Sequence, residues 1–274
     1  MKKSNKSVLL SGPYILFMVI FTLIPLGVVG YYALTDSATG ALTLHNLKEL
    51  ADYGPELWKS ILYALIAAVI CLLLGYPAAY YIAHRSPVMQ KILYMLVMLP
   101  MCMSFLLRTQ AWVGLLEEDG IINTWLGYIG IGPLPLIRNS GAMILGMVYN
   151  YLPYMILPLY AIIVKIDKRL IEAAEDLGCN GFQVFCRVTL PLSMPGILSG
   201  ITMVFVPAVS TFYISQKLGS AGTLLIGDVI ERLFKQSNNP NMGAALSLLL
   251  MLIVFACTGL MNKLGADEEG GAVV

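Results

Sequence analysis

Six long apolar windows constrain the fold of this 274-residue chain more than any other feature of its sequence. A bilayer core about 30 Å thick needs about 20 helical residues, because an α-helix rises about 1.5 Å per residue. The predicted spans cover residues 12–35, 59–83, 91–115, 141–165, 191–216 and 241–262. The sequence therefore predicts an all-α integral membrane protein with six transmembrane helices.

Composition excludes several classes of function. Hydrophobic residues make up 58% of the chain and charged residues 12%, so it is far more apolar than a soluble core requires. A net charge of +1 provides no basic face for neutralising phosphates, and we expect no nucleic-acid partner. The five cysteines have no ligand-spaced histidines, so we predict no metal site and no disulfide framework. We find no catalytic constellation and expect no enzyme.

Charge placement predicts the orientation of the spans. The first window is too long for a signal-peptide core and indicates a retained anchor. An even number of spans places both termini on one side, and an inner N-terminus gives ten Lys and Arg residues inside against seven outside. This bias predicts cytoplasmic termini. We expect one transmembrane domain over residues 1–265 and a short disordered tail over 266–274.

A charged insert separates the fourth and fifth spans at about residues 168–188 and is predicted to face the cytoplasm. Asp167 is a plausible helix N-cap, and Gly178 stands where a helix end requires positive φ. Apolar residues recur at helical spacing between them and form one face of the helix. These residues are Leu170, Ala173, Ala174 and Leu177.

A second short helix should follow with Phe182 and Phe185 on one side, and Pro191 fits the first turn of the fifth span. A solvated connecting helix is the simpler interpretation of this insert. Ala173 and Ala174 beside an acidic position instead favour a helix that seats in a groove of another protein. A DNA-reading helix pair has similar geometry, but phosphate would repel its acidic first helix.

One motif in the insert resembles a known family. It is similar to the EAA signature of permease subunits of bacterial ABC importers. The matching positions are Glu172-Ala173-Ala174, then Gly178 after three residues, Val188 after nine more, and Leu190-Pro191 after one more. In that family the segment forms coupling helices that dock into a cleft of the cytoplasmic ATPase. The resemblance implies a type I ABC importer permease fold with a coupling role for Glu172, Ala173, Ala174, Asp176, Leu177, Gly178, Phe182, Leu190 and Pro191.

Other blocks resemble the B-type permeases of spermidine/putrescine importers. They include "YLPYMILPLYAII" from Tyr151, "LPLSMPGI" from Leu190 and "FVPAVSTFYIS" from Phe205, while Gln110 stands where that family carries Tyr. The resemblance implies a heterodimer with a sister permease, two copies of an ABC ATPase and an extracytoplasmic polyamine-binding protein. ATP and magnesium would bind the ATPase, because this chain has no G-x-x-x-x-G-K-[ST] loop and should bind no cofactor.

Alternatives to a polyamine permease stay open. Permeases for other organic cations, iron, sulfate or phosphonate carry the same signature, and a secondary transporter driven by an ion gradient is a different class. The secondary transporter is disfavoured because no acidic residue lies centrally in a span and no internal symmetry is evident.

A polyamine path should offer carboxylates at its mouth and aromatic faces further in. Ordinary loop charge and helix packing are the competing interpretations. The candidate mouth residues are Glu117, Glu118, Asp119, Asp228 and Glu231, and the candidate intramembrane residues are Tyr149, Asn150, Tyr151, Tyr154, Ser210, Thr211 and Tyr213.

Two further features of the spans predict packing. Arg108 should be structural, reaching the membrane interface or pairing with a loop carboxylate. Gly196 and Gly200 form a small-xxx-small pair that allows a neighbouring helix to approach closely.

Overall fold

A computed structural model describes residues 13–36, 40–43, 45–220, 222–237 and 239–271. Apart from an isolated bridge between Thr35 and Leu42, these residues form helices, turns and loops. The chain divides into two units, Met1–Pro55 with Val229–Ile253 and Glu56–Asp228 with Val254–Val274.

The helices alternate between long apolar elements and short connecting ones. They are α1 Pro13–Ala33, α2 His45–Glu49, α3 Gly54–Ala83, α4 Pro87–Met98, α5 Phe105–Leu116, α6 Ile121–Tyr128, α7 Ser140–Ile163, α8 Lys168–Asp176, α9 Gly181–Leu192, α10 Met194–Val209, α11 Tyr213–Leu218, α12 Ile226–Lys235 and α13 Pro240–Gly271.

Four of these helices are long and apolar enough to cross a membrane, namely α1, α3, α7 and α13. Two bent helix pairs raise the number to six if each pair is one span. Six spans therefore agree with the sequence, and an all-α membrane protein is confirmed. The third and fifth windows are nevertheless broken, where the sequence predicted continuous helices.

The third window bends by 88° between Pro87–Cys102 and Phe105–Tyr128. Leu99–Cys102 tightens into a 3-10 turn that contains Pro100, and Met103 is extended. Proline cannot donate to the helical ladder, so the helix ends here in spite of its apolar composition. The apolar composition of this window showed only which solvent the segment prefers, and the single transmembrane helix predicted over 91–115 is instead a bent pair of helices.

The fifth window breaks twice. The chain bends by 64° between Gly181–Leu192 and Met194–Val209, so Pro191 lies in the last turn of α9 and not in the first turn of this span. At the other end α10 stops at Val209, and Ser210–Phe212 separate it from α11. Pro207 removes a backbone donor one turn before this end, which weakens the ladder there.

The core of the Glu56–Asp228 unit is the close packing of α10 against α7. A Cβ atom built on Gly200 would lie 2.6 Å from Met155 Sδ, and one on Gly196 would lie 3.1 Å from Ile162 Cγ1. Both glycines are buried. The predicted close approach at this glycine pair is confirmed.

In the other unit, Ala33 packs with Ala244 and Ala245, and Asn241 Nδ2 donates to the carbonyl of Thr35 at 2.6 Å. The last helix continues to Gly271, whereas the sequence predicted a disordered tail from residue 266. Side chains beyond residue 263 lie outside the described residues.

Candidate coupling segment and membrane pathway

The helix α8 begins and ends at the predicted residues. The Asp167 carboxylate accepts a hydrogen bond from the Arg169 amide at 3.0 Å, which confirms the N-cap. Gly178 has φ +87°, and its amide donates to the Glu175 carbonyl at 2.8 Å. The Cys179 amide donates to the Ala174 carbonyl at 3.1 Å, which completes a Schellman ending.

Sequence reasoning missed the signal that begins α9. Asn180 and Gln183 form a reciprocal capping box, with each side-chain oxygen accepting from the other residue's backbone amide at 2.9 Å. The spacing Asn-x-x-Gln is the signature that could have predicted it. The turn between α8 and α9 is thus fixed at both sides by local hydrogen bonds.

Apolar side chains of this helix pair lie on the surface of the chain. Leu177 is 86% exposed and Phe182 is 75% exposed, and Leu170 and Ala173 are exposed as well. Glu172 and Asp176 are exposed beside them, while Ala174 is half-buried. The predicted apolar face is therefore present and is not covered by the unit to which it belongs.

The second helix of the pair is anchored to α3. The Phe185 ring lies edge-on to Tyr76, with centroids 5.5 Å apart, and the Tyr76 hydroxyl hydrogen-bonds Ser193 Oγ at 2.8 Å. Phe182 is 75% exposed whereas Phe185 is half-buried, and the helix widens into a π turn from Phe185 onward. Leu190 is half-buried in this helix, and Pro191 is exposed.

The interior of the bundle holds polar side chains from the predicted pathway. Asn150 is 1% exposed, and Tyr151 and Thr211 are also buried. The Tyr151 hydroxyl donates to the Pro207 carbonyl at 3.3 Å and lies within hydrogen-bonding reach of the Thr211 side chain. The structure therefore brings Tyr151 and Thr211 together at the break that follows α10, whereas the Asn150 amide donates to the Gly146 carbonyl of its own helix at 2.9 Å.

Other predicted pathway residues lie at the surface of this chain. Tyr149 and Tyr154 are exposed, and the Tyr149 ring packs against Trp112 at 5.3 Å between centroids. Ser210 is exposed and donates to the Val206 carbonyl at 3.2 Å. Tyr213 is half-buried, with its ring 5.8 Å from Lys217 Nζ. Aromatic faces thus flank the buried polar residues.

Arg108 departs from its predicted environment. It is only 7% exposed, and its Nε and Nη1 atoms have no hydrogen-bond partner among the described residues. No loop carboxylate among the described residues pairs with it, so that part of the expectation was wrong. The kink in the third window explains the error, because it places Arg108 in the first turns of α5 and not near the end of a straight span.

Three of the predicted mouth residues share one cavity. Glu117, Glu118 and Asp119 follow α5 and line a cavity of about 440 Å³. Pro135, Ile137 and Arg138 line its other side, and Arg138 has an unusual φ of 59°. Three carboxylates facing one guanidinium leave a net negative lining suited to a cation.

The other two predicted mouth residues are engaged locally. Asp228 is 3% exposed, and its Oδ2 accepts a hydrogen bond from the Leu225 amide at 2.9 Å. Glu231 forms an ion pair with Lys235 at 2.7 Å, one helical turn away. Neither residue presents the open carboxylate that the sequence analysis assigned to a pathway mouth.

A multi-pass helical bundle with an exposed helix pair inserted before its broken fifth span defines a class of membrane transport subunit. The family described as "Binding-protein-dependent transport system inner membrane component" matches residues 72–264. The chain belongs to this family of ABC importer permeases.

Individual relatives show which permeases this chain resembles in sequence and in fold. The spermidine/putrescine transport system permease protein PotB of Haemophilus influenzae is 39% identical over 263 residues, covering 90% of this chain and 92% of the relative. PotB of Escherichia coli K12 is 36% identical, covering 90% and 96%. A bacterial alginate ABC transporter in complex with a pentasaccharide-bound periplasmic protein matches with a TM-score of 0.74 and 19% identity, covering 94% of this chain and 92% of that one. This last likeness supports the fold alone.

Proposed function

We propose that this chain is the membrane-spanning permease subunit of an ATP-driven importer and forms, with a sister permease, the translocation path for polyamines. The observation that carries the polyamine assignment is the similarity, over nine-tenths of the chain, to permeases named for spermidine and putrescine transport. The chain itself is non-catalytic in this proposal, and ATP and magnesium act on a partner.

The exposed apolar face of α8 and α9 is the proposed docking surface for the cytoplasmic ATPase. Leu177 and Phe182 are large side chains left in water, and covering one of them fully is worth about 1.5–3 kcal/mol. Glu172 and Asp176 border this face and would orient the contact through charge. Two ATPase copies would each hold one permease in this way.

Movement of the docking surface has a short route into the membrane. Phe185 packs on Tyr76 of α3, and Ser193 at the bend joins α9 to α10 and bonds the Tyr76 hydroxyl. ATPase closure would therefore pull on two membrane helices at once. Alternating access needs such a two-state element biased from a distant site.

The polar break after α10 is the proposed inner part of the substrate path. An interrupted helix frees carbonyl groups that can replace water around an ammonium group. Asn150, Tyr151 and Thr211 supply further oxygens, and the exposed rings of Tyr149 and Tyr154 offer faces for cation–π contacts. A polyamine carries several ammonium groups on an apolar chain and matches this mixture.

The acidic cavity of Glu117, Glu118 and Asp119 is the proposed entrance on the outer side. A polyamine-binding protein would release substrate near it, and the net negative lining would raise the local cation concentration. This placement requires cytoplasmic termini, in keeping with the excess of Lys and Arg in the inner segments. We place the chain in the bacterial cytoplasmic membrane in this orientation.

An importer of an anionic solute such as sulfate or phosphonate is the second candidate. Two observations favour it, namely the buried guanidinium of Arg108 and the presence of Arg138 in the acidic cavity. Either arginine could bind an anion through paired hydrogen bonds.

Transport assays in membrane vesicles test these alternatives. Vesicles holding this chain with its sister permease, ATPase and binding protein should take up labelled spermidine and putrescine when ATP is supplied. Vesicles without ATP are the matched control. Uptake of labelled sulfate or phosphonate without polyamine uptake would overturn the polyamine assignment and leave the permease assignment in place.

A further inference from the structure

The guanidinium group of Arg108 has N–H donors that find no acceptor among the described residues. Its Nε and Nη1 atoms are sealed from the surface and lack hydrogen-bond partners there, so Nη2 is the edge of the guanidinium nearest to the outside. The group also lies close enough to Tyr151 to interact with it electrostatically. Tyr151 in turn bonds the Pro207 carbonyl just before the break that follows α10.

A buried guanidinium in this state is unfavourable. Arginine cannot lose its proton in a protein, so it cannot escape by becoming neutral. An unpaired buried charge is strongly destabilising, whereas a carboxylate partner with good geometry compensates for it. A binding partner for Arg108 should therefore carry negative charge.

The acidic residues that follow α5 and the buried Asp228 do not meet this requirement. Glu117 is nine residues further on, about 14 Å along a helix axis, and it lines the outer cavity with Glu118 and Asp119. Asp228 already accepts the Leu225 amide. The buried Oδ1 of Asn150 lacks a donor among the described residues, but a neutral amide oxygen cannot balance a charge.

We propose that the sister permease supplies a carboxylate to the Nη2 edge of Arg108 across the subunit interface and so balances the buried charge. This inference rests on the heterodimer proposed above. A polyamine cannot fill the role because it has the same sign, and an uncompensated guanidinium beside the path would repel every ammonium group that passed.

Recovery of the complex through an affinity tag on the sister permease tests the proposal. Arg108→Met keeps an unbranched apolar stem and removes the charge, so it should lower the amount of this chain recovered with the sister permease at least tenfold. Arg108→Lys keeps the charge and should retain most of that recovery. Arg85→Gln removes an exposed charge that stacks on Tyr81 and is the matched control. The amount of each variant in the membrane is measured alongside, since a variant lost before assembly would not report on the interface.

A second arm identifies the partner residue. Each Asp and Glu of the sister permease is replaced singly by Asn or Gln in the Arg108→Met background. One replacement should restore recovery, because removing both members of a buried pair is less harmful than removing one. Normal assembly of Arg108→Met, or no restoring position in the sister permease, would overturn the inference. Failure of the unaltered chain to bind the sister permease would instead refute the proposed function.

Discussion

The coupling helices α8 and α9 differ from the polar break after α10 in which side chains they expose and which they bury. On the coupling helices large apolar groups are outside, with Phe182 75% exposed. At the break polar groups are inside, with Thr211 6% exposed. Each arrangement is unfavourable for a chain by itself, and each indicates where this subunit needs something that another component supplies.

The two regions also differ in how they are held. The coupling helices are fixed by hydrogen bonds between residues a few positions apart, as between Asn180 and Gln183. The break is fixed by contacts between distant segments, such as the bond from Tyr151 to Pro207, 56 residues away. Local signals therefore shape the surface that receives the ATPase movement, while tertiary packing shapes the proposed path.

The largest expected effect comes from straining the turn between α8 and α9. Gly178→Val places a β-branched residue at φ +87°, where L-residues pay about 1–2 kcal/mol and branched ones more. ATP-dependent uptake should fall at least about tenfold with normal membrane levels of the chain. Gly181→Ala in the same segment meets no atom within 4 Å and should transport normally. Equal activity of both variants would contradict the importance of this turn.

Removing an apolar side chain from the proposed docking surface should have the second-largest effect. Phe182→Ala should lower co-purification of the ATPase by about tenfold or more, since burying this ring is worth about 1.5–3 kcal/mol. The thermal midpoint of the isolated chain in detergent should not change, because the ring makes little contact within it. Trp125→Ala, at a residue 68% exposed on α6, is the control. The docking assignment fails if both variants retain the ATPase equally.

Overpacking the contact between α7 and α10 should lower the thermal stability of the chain. In Gly200→Val the new side chain begins 2.6 Å from Met155 Sδ, and such overpacking costs about 1–3 kcal/mol. A lower thermal midpoint in detergent is expected, together with less folded chain in the membrane. Gly259→Val on α13 meets no atom within 4 Å and should leave the midpoint unchanged. An unchanged midpoint for Gly200→Val would mean that the helices separate there without cost.

The smallest effect is expected at the polar break. Tyr151→Phe removes the hydroxyl that bonds the Pro207 carbonyl, a loss of about 0.5–1.5 kcal/mol. Polyamine uptake at low substrate concentration should fall about twofold to tenfold. Tyr149→Phe keeps the ring that packs on Trp112 and serves as the control. A larger loss at Tyr149 than at Tyr151 would move the proposed path to the exposed aromatic face.

Local patterns accounted for the membrane class, the number of apolar windows and both ends of α8. Asp167 and Gly178 act on residues within one helical turn, so their roles are visible in the sequence. The same reasoning did not predict the environments of Arg108, Asp228 and Glu231. The environment of these residues depends on where the third window bends and on which backbone or side-chain groups lie next to them in the fold.

The sequence by itself determined that this chain crosses a membrane and carries a capped, amphipathic helix pair between its fourth and fifth spans, because apolar length and capping are properties of consecutive residues. Only the tertiary structure decided that the third and fifth windows are broken, that Arg108 is buried, and that Tyr151 and Thr211 meet at the second break. Hydropathy measures the solvent that a segment prefers. It contains no information on where a helix ends against its neighbours or on which distant side chains satisfy its freed backbone groups.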